Sequence, residues 1–455
     1  MLPTAFEPFV KAAPFCVLAR VALESRFSPR RLDELFARAA QRQYTRELLF
    51  PQLVELMTAV VLRQQPSVYA AYRNNVAGVT VSHQALYDQL DQLELGVSAA
   101  LVRDSARHIT PVIDGLHARR TAWLADRRVE IIAGNAPSAT EHRLSELRDV
   151  WDAPMPGKVL AVFDPQTELP TDVFLAPDGH AQEASLLGDV RATVGATDVW
   201  IADRNFCALS LLGGIDARRA GFVVRPHGRL KGRLIGGRRV IGRSQTGVVY
   251  EQSIEAGHQG QVKTWRRVRV TWDEPTRNGD QEIHIPTNRP PEVADGGRVA
   301  ELYRERWTIE GLFDEVTRAL NCEPHTLAYP PAALSAFGLA LVASNAVSLC
   351  KASVRATVGA DAVGALSSYY VASEIRQTHV GMMVALPAAL WEFVRQLSSA
   401  ELAALLRRVA SGIDRTRYHK ATRGPKKPPP KRKPYKNGGH TSTHKLLQKR
   451  KPDAP

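Results

Sequence analysis

Cysteine is scarce in this chain, with four residues in 455, and Cys16, Cys207, Cys322 and Cys350 form no CxxC pair. That scarcity excludes a disulfide scaffold and a thiolate metal site, and it points to a reducing compartment. The opening MLPTAFEPFVKAAPF lacks a basic stretch followed by an apolar run, so no secretory signal is expected. No Gly-rich phosphate loop is present, which leaves a nucleotide cofactor without support. No internal repeat is found. Long apolar runs are nearly missing too. The exception, Pro330 to Cys350, is uncharged and about long enough to span a bilayer. It is rich in Ala and Ser and contains Asn345, which fits a buried helix better, so no membrane partner is expected. His142 and His180 stand alone and are read as ordinary polar contacts.

What is present starts with a lopsided charge. The net charge is +14, yet residues 415–455 alone carry fourteen Lys and Arg against one acid, Asp453. The rest of the chain is close to neutral. This tail, with its prolines and lysines, cannot build a core and is expected to be disordered over 413–455. A mobile cation of this kind suits phosphate backbones, and Lys426, Lys427 and Arg432 are its candidate DNA contacts. A purely solubilising tail would have the same composition.

A chain of 455 residues is too long for one ordinary core, so several domains are expected. Residues 1–125 read as a helical, DNA-binding N-terminal region: RRLDELFARAAQ and PQLVELMTAVVL place apolar residues three and four apart. In VTVSHQALYDQLDQLE, Ser82 suits a helix N-cap. The turn and helix around it are weighed equally as half of a helix-turn-helix for DNA and as plain structure. From residue 126 the pattern changes. VEIIAGN, GKVLAVFDP and ELPTDVFLAP read as three strands, EASLLGDVRATV as a helix, DVWIADRNF as a strand, CALSLLGGIDARRA as a helix and GFVVRPHG as a strand. That order resembles a ribonuclease-H-like α/β core spanning 126–227 and 293–330. Residues 228–292 alternate polar and apolar residues as antiparallel strands do, and read as a β subdomain inserted into the core. A long helix is expected from Val293, followed by a helical region over 331–412.

The most informative string is ELYRERWTIEGLFDEVTRAL. Tyr303, Arg306 and Glu310 fall at i, i+3 and i+7, on one helix face. A surface ion-pair stripe accounts for the charges but not for Tyr303 and Trp307 among them. The string resembles the Tyr-x2-Arg-x3-Glu-x6-Lys signature of one large family of insertion-sequence DDE transposases. DVWIADRNF is similar to that family's strand ending in Asp-Arg-x-Phe, with Asp203 at the strand end. The resemblance covers about residues 110–400.

The resemblance implies an enzyme that cuts and joins DNA strands by two-metal phosphoryl transfer, with Mg²⁺ or Mn²⁺ as cofactor. Asp203 and Glu310 would be catalytic metal ligands, and Tyr303, Arg306 and Arg318 would meet DNA phosphate. Trp265 or Trp272 would offer a ring to an unpaired base. The implied partner is double-stranded DNA, both element ends and target, bound as a dimer. The implied location is the bacterial cytoplasm, at the nucleoid when on DNA. Two positions depart from the pattern. The first catalytic Asp would close the opening strand, where Ala133 stands before Gly134. The final Lys position holds Thr317, with Arg318 adjacent. Asp114, Asp164, Asp178 and Glu183 are the nearby acids, and none is placed by sequence to replace the missing one. Impaired cleavage is therefore expected. Two other functions remain open, a non-catalytic DNA-binding derivative and an unrelated metal-dependent nuclease of the same fold.

Overall fold

In the computed structural model, the described residues are all but 1, 43–47, 138–152, 227–231, 259–260, 277–278, 328, 422–439 and 451–455. The chain opens with helices α1 to α7, at Glu7–Ala12, Pro14–Arg26, Pro29–Ala39, Phe50–Val61, Val68–Arg73, His83–Asp91 and Leu95–Gly115. Ser82 caps α6 as expected, its hydroxyl accepting from the Ala85 amide at 3.2 Å. Nine residues separate α5 from α6. The compact turn of a helix-turn-helix holds only about 3–4.

The strands of the core follow the expected runs. They are β1 (Arg128–Asn135), a short β2 (Ala153–Met155), β3 (Lys158–Asp164) and β4 (Leu169–Ala176). Then come helix α8 (Leu187–Thr193), β5 (Asp198–Ala202), helix α9 (Leu209–Ala217) and β6 (Gly221–Val224). β3 runs antiparallel to β1 and β4, whereas β5 pairs parallel with both β1 and β6. Each strand is apolar on both faces because the sheet separates two cores. Val129, Ile131 and Ala133 enter the larger one, as do Val199 and Ile201. Ile132, Trp200 and Ala202 enter the smaller one, with α8 and α9.

The stretch read as an inserted β subdomain forms β7 (Arg233–Ser244), β8 (Gly247–His258), β9 (Gln261–Trp272) and β10 (Glu282–Thr287), all antiparallel. These strands are not set apart from the core. They extend the same sheet, whose order is β4-β3-β1-β5-β6-β10-β9-β8-β7. The join is narrow: Thr287 opposite Val223 is the one backbone pair between β10 and β6. Side chains reinforce it. The Asn288 side chain accepts from the Phe222 amide at 3.0 Å and donates to the Ala220 carbonyl at 2.8 Å, and Arg289 donates to that carbonyl at 2.7 Å.

The expected long helix from Val293 is two helices, α10 (Gly296–Glu305) and α11 (Thr308–Arg318). Asp295 caps the first through the Arg298 amide at 2.7 Å. The break has a local cause. The Thr308 hydroxyl donates to the Glu305 carbonyl at 2.6 Å, taking the acceptor that the Ile309 amide would use in a continuous helix. Ile309 turns instead to Arg306, at 3.3 Å.

Helix α12 (Pro330–Val358) is the predicted apolar helix, and it is enclosed by protein along its membrane-length window. It packs on α2, α4 and α7 and on β4, which explains an apolar surface all round. The remaining helices are α13 (Ala360–Gly364), α14 (Ser368–Ala385), α15 (Glu392–Arg395) and α16 (Ser399–Ser411). The tail departs from expectation over its last described residues. β11 (His440–Ser442) pairs parallel with β2, and α17 (Thr443–Arg450) follows. Asp178 draws it in, accepting from the Ser442 hydroxyl at 2.6 Å and pairing with Lys445 at 3.4 Å.

Inside α12, Asn345 is fully buried and donates to the Ser105 hydroxyl of α7 at 2.6 Å and to the Pro170 carbonyl of β4 at 3.1 Å. Asn345→Ala leaves both partners buried without this donor. A loss of about 2 kcal/mol or more is expected, read from urea unfolding midpoints.

Candidate active site

Three parallel strands run side by side, β5 and β6 ending level with Ile132 of β1, which continues to Asn135. The last register pair of β1 with β5 is Ile132 with Ala202, so the next residues along the two strands are Ala133 and Asp203. Neighbouring strands lie about 4.8 Å apart, and the position expected to hold an acid is therefore beside Asp203. It holds a methyl group, 5% exposed and packed in the same core as Tyr303. Asp203 itself is half-buried. It caps the 3₁₀ turn Arg204–Phe206, accepting from the Asn205 amide at 2.8 Å.

Helix α10 lies against β5 and β6, and α11 against β1. Tyr303 is buried on α10. Burial raises its phenol above the ordinary value, Arg306 and Arg225 oppose the rise, and the charge of Asp203 adds to it. Arg306, at the break between the helices, is also buried. It donates to the Tyr303 oxygen, its guanidinium lies 5.0 Å from the Trp307 ring centre, and it pairs with Glu310 at 3.6 Å. Tyr303, Arg306 and Glu310 are thus joined side chain to side chain, although the helix carrying them is interrupted, while Asp203 reaches Tyr303 only through its charge. Glu310 is exposed, and its one ion pair among the described residues is with Arg306, not with a partner of Asp203. Beside this line is a cleft of about 290 Å³, lined by Arg225, Gln245, Trp272, Tyr303, Arg306 and Trp307 among others.

Other expectations separate from this centre. Arg318 is held by Asp314 at 2.6 Å and borders a different cleft, of about 510 Å³, whose lining includes neither Asp203 nor Arg306. Trp265 is buried edge-on to Phe222 at 5.0 Å, so it is a packing residue, while Trp272 lines the first cleft. Lys426, Lys427, Arg432 and His142 lie outside the described residues. Among the spare acids, Asp164 turns inward at the opposite strand end, accepting from the Gln166 amide and the Thr167 hydroxyl, both at 2.8 Å. Asp178 is tied to the tail, and Asp114 pairs with Arg119.

Glu183 is the residue that sequence reasoning set aside. It sits in a 3₁₀ turn just before α8, and nothing in the sequence places it at the strand ends. In the structure its carboxylate lies over the end of β1. A Cβ built on Gly134 would fall 2.4 Å from its Oε1. Burial raises the Glu183 carboxyl above its usual range, Asp203 adds to that, and Lys158 and the Asn205 side chain pull it down. Oε2 is buried without a hydrogen-bond partner. No sequence spacing reveals this approach. Among the described residues, no three His, Cys, Asp or Glu side chains gather closely enough to ligate an ion.

Residues 155–346 match the family described as transposase DDE domain. The match includes Glu183, Asp203, Tyr303, Arg306 and Glu310 and starts after β1, so Ala133 lies outside it. No curated protein matches the chain. Among solved structures, the piggyBac transposase synaptic complex with hairpin DNA is similar at 9% identity and a TM-score of 0.37, over 88% of this chain and 86% of that one.

Arg306 joins a phenol, an indole and a carboxylate, so its loss strands all three. Arg306→Ala is expected to lower stability by about 1–3 kcal/mol in urea unfolding. Arg306→Lys should recover only part of that, since an ammonium lacks the planar fork of a guanidinium.

Proposed function

We propose that this chain is a DDE transposase of the Tyr-x2-Arg-x3-Glu type, built on a ribonuclease-H-like core, that binds DNA and cuts and joins its strands. The observation that carries the proposal is the buried Tyr303–Arg306 pair leading to Glu310, on helices packed against the strands that Asp203 follows. The family match over residues 155–346 supports it. The domain assignment follows the same reading: helical 1–125, core 126–227 and 293–330, helical 331–412, and a basic tail.

Asp203 and Glu310 offer hard oxygen donors, which fit Mg²⁺ or Mn²⁺. When bound, such ions supply an activated oxygen nucleophile and stabilise the leaving oxygen in phosphoryl transfer. The protein's own residues hold the strand. The buried guanidinium of Arg306, steadied by Tyr303, is a preformed anchor for phosphate oxygens. Its pairing with exposed Glu310 spans 3.6 Å, and a pair of that kind contributes about 1 kcal/mol or less, so either partner can be drawn to a stronger one. The basic tail adds attraction that is blind to sequence.

Ala133 favours a second reading, a DNA-binding protein that has lost cleavage. The two separate in one assay with duplexes carrying the DNA that flanks its own gene, in Mg²⁺ and in Mn²⁺. The transposase reading expects slow strand cleavage, and Asp203→Asn should cut the rate at least about a thousandfold while DNA affinity stays within about twofold. Binding without cleavage in either cation, with cleavage gained by Ala133→Asp, would establish the second reading instead. Truncation after Ala421 should weaken DNA binding and flatten its dependence on salt, read as the slope of log Kd against log salt.

A further inference from the structure

We propose that Arg238, Arg267 and Arg269 hold a phosphate of the DNA backbone in a cleft on the panel β7–β10, a DNA contact separate from the one at Arg306. This deepens the transposase reading and rests on it. The cleft is built by strand register. Tyr250, Arg269 and His284 stand opposite one another on β8, β9 and β10, and so do Gln252, Arg267 and Pro286. The two rows are two residues apart along each strand, so they share one face. Val249, Val268, Val270, Ile283 and Ile285 occupy the alternate positions and pack in the core that holds Tyr303. The cleft, of about 290 Å³, therefore opens on the face turned away from Tyr303 and α10. DNA held there is a different stretch from the one at Arg306.

Strands β7 and β9 carry eight Arg and Lys. Six of them face a carboxylate, and among the described residues Arg238 and Arg267 do not. The two acids that border the cleft are already engaged, Glu251 by Arg266 and Glu282 by Arg269 and His284. Arg267 is half-buried and makes no hydrogen bond or ion pair among the described residues. Burial lowers its pKa from the ordinary arginine value, Glu282 opposes that and Arg269 adds to it. Arg238 is brought in by a bulge. The register of β7 on β8 shifts between Ile235 and Arg239, and Gly236 there takes a φ of +69°, which suits glycine. The Gln252 side chain fixes the bulge, donating to the Gly236 carbonyl at 2.8 Å. The Arg238 guanidinium then lies 4.8 Å from the Tyr250 ring centre, and that of Arg269 lies 5.7 Å from it. Like cations gathered this way repel, and an anion between them turns the repulsion into attraction. Planar guanidinium groups match phosphate oxygens in pairs. The ligand is a polymer of phosphates, because the cations continue past the cleft: β7 is the sheet edge, and Arg233, Arg239 and Arg243 are exposed along it.

The test is fluorescence anisotropy of a labelled duplex, taken from the DNA that flanks its own gene, with the full-length protein over a series of NaCl concentrations. Arg238→Gln with Arg267→Gln should weaken binding about tenfold or more and reduce the slope of log Kd against log salt by about two. Arg376→Gln with Arg408→Gln removes the same charge from exposed positions elsewhere and should change affinity less than about threefold. Gln252→Leu keeps every charge but releases the bulge, so it should weaken binding as well. Urea unfolding midpoints check each fold, and Arg238→Gln alone, at an exposed position, carries the test if the pair does not fold. A cleft that takes only free inorganic phosphate would leave the Arg238/Arg267 pair binding the duplex as the Arg376/Arg408 pair does. That result overturns the inference, and the transposase reading survives it through Arg306 and the tail. If the unaltered protein does not bind the duplex even at low salt, both fall.

Discussion

The parallel pairing of β1 with β5, ending at Ile132 and Ala202, forces the next residue of each strand into one small volume. Adjacent strands are only about 4.8 Å apart, and β5 leaves the sheet there while β1 runs on beside β3 to Asn135. β6 ends at the same edge, and the Arg225 amide reaches back to the Ala202 carbonyl at 3.4 Å. Everything argued for function depends on this edge. Asp203 lies on it, Glu183 folds onto it and Tyr303 is felt by it electrostatically. Had β5 run antiparallel to β1, the residues after Ile132 and Ala202 would lie at opposite ends of the sheet.

Arg306 sets the second condition. A guanidinium left buried and unpaired is strongly unfavourable. This one is kept in place by a phenol, an indole face and a carboxylate, with its Nε still without a partner. The break between α10 and α11 falls at the same residue. The Thr308 hydroxyl that causes it thereby decides the angle at which Glu310 is presented relative to Tyr303.

The strands of the core were legible because both faces of the sheet are covered, which leaves continuous β-branched and apolar runs in the chain. The Asp203 and Tyr303–Arg306–Glu310 positions were legible as short strings. The break at Thr308 was not, because helix periodicity carries no trace of a hydroxyl competing for one carbonyl. Glu183 was not legible either, since its place depends on how a turn after β4 folds back across β1. The antiparallel strands could be read from alternation, but alternation says nothing of which strand they pair with, so their union with the core sheet through Thr287 came only from the fold. Counting charge by segment drew attention to the tail. It passed over the arginines of β7 and β9, several of which are answered by Glu251, Glu255, Asp273 and Glu282.

The union at Thr287 has a mechanical consequence. Elsewhere in the sheet, neighbouring strands share a ladder several residues long, but β10 and β6 share one rung. A sheet flexes most easily along its shortest ladder. Any rotation of the four-stranded panel against the core is therefore concentrated on a line through Thr287 and Val223, with the side chains of Asn288 and Arg289 as its fasteners. The cleft holding Trp272 and Trp307 has one wall on the panel and one on α10, and because α10 packs on β7 to β10 as well as on β5 and β6, that helix braces the line and holds the cleft to one width.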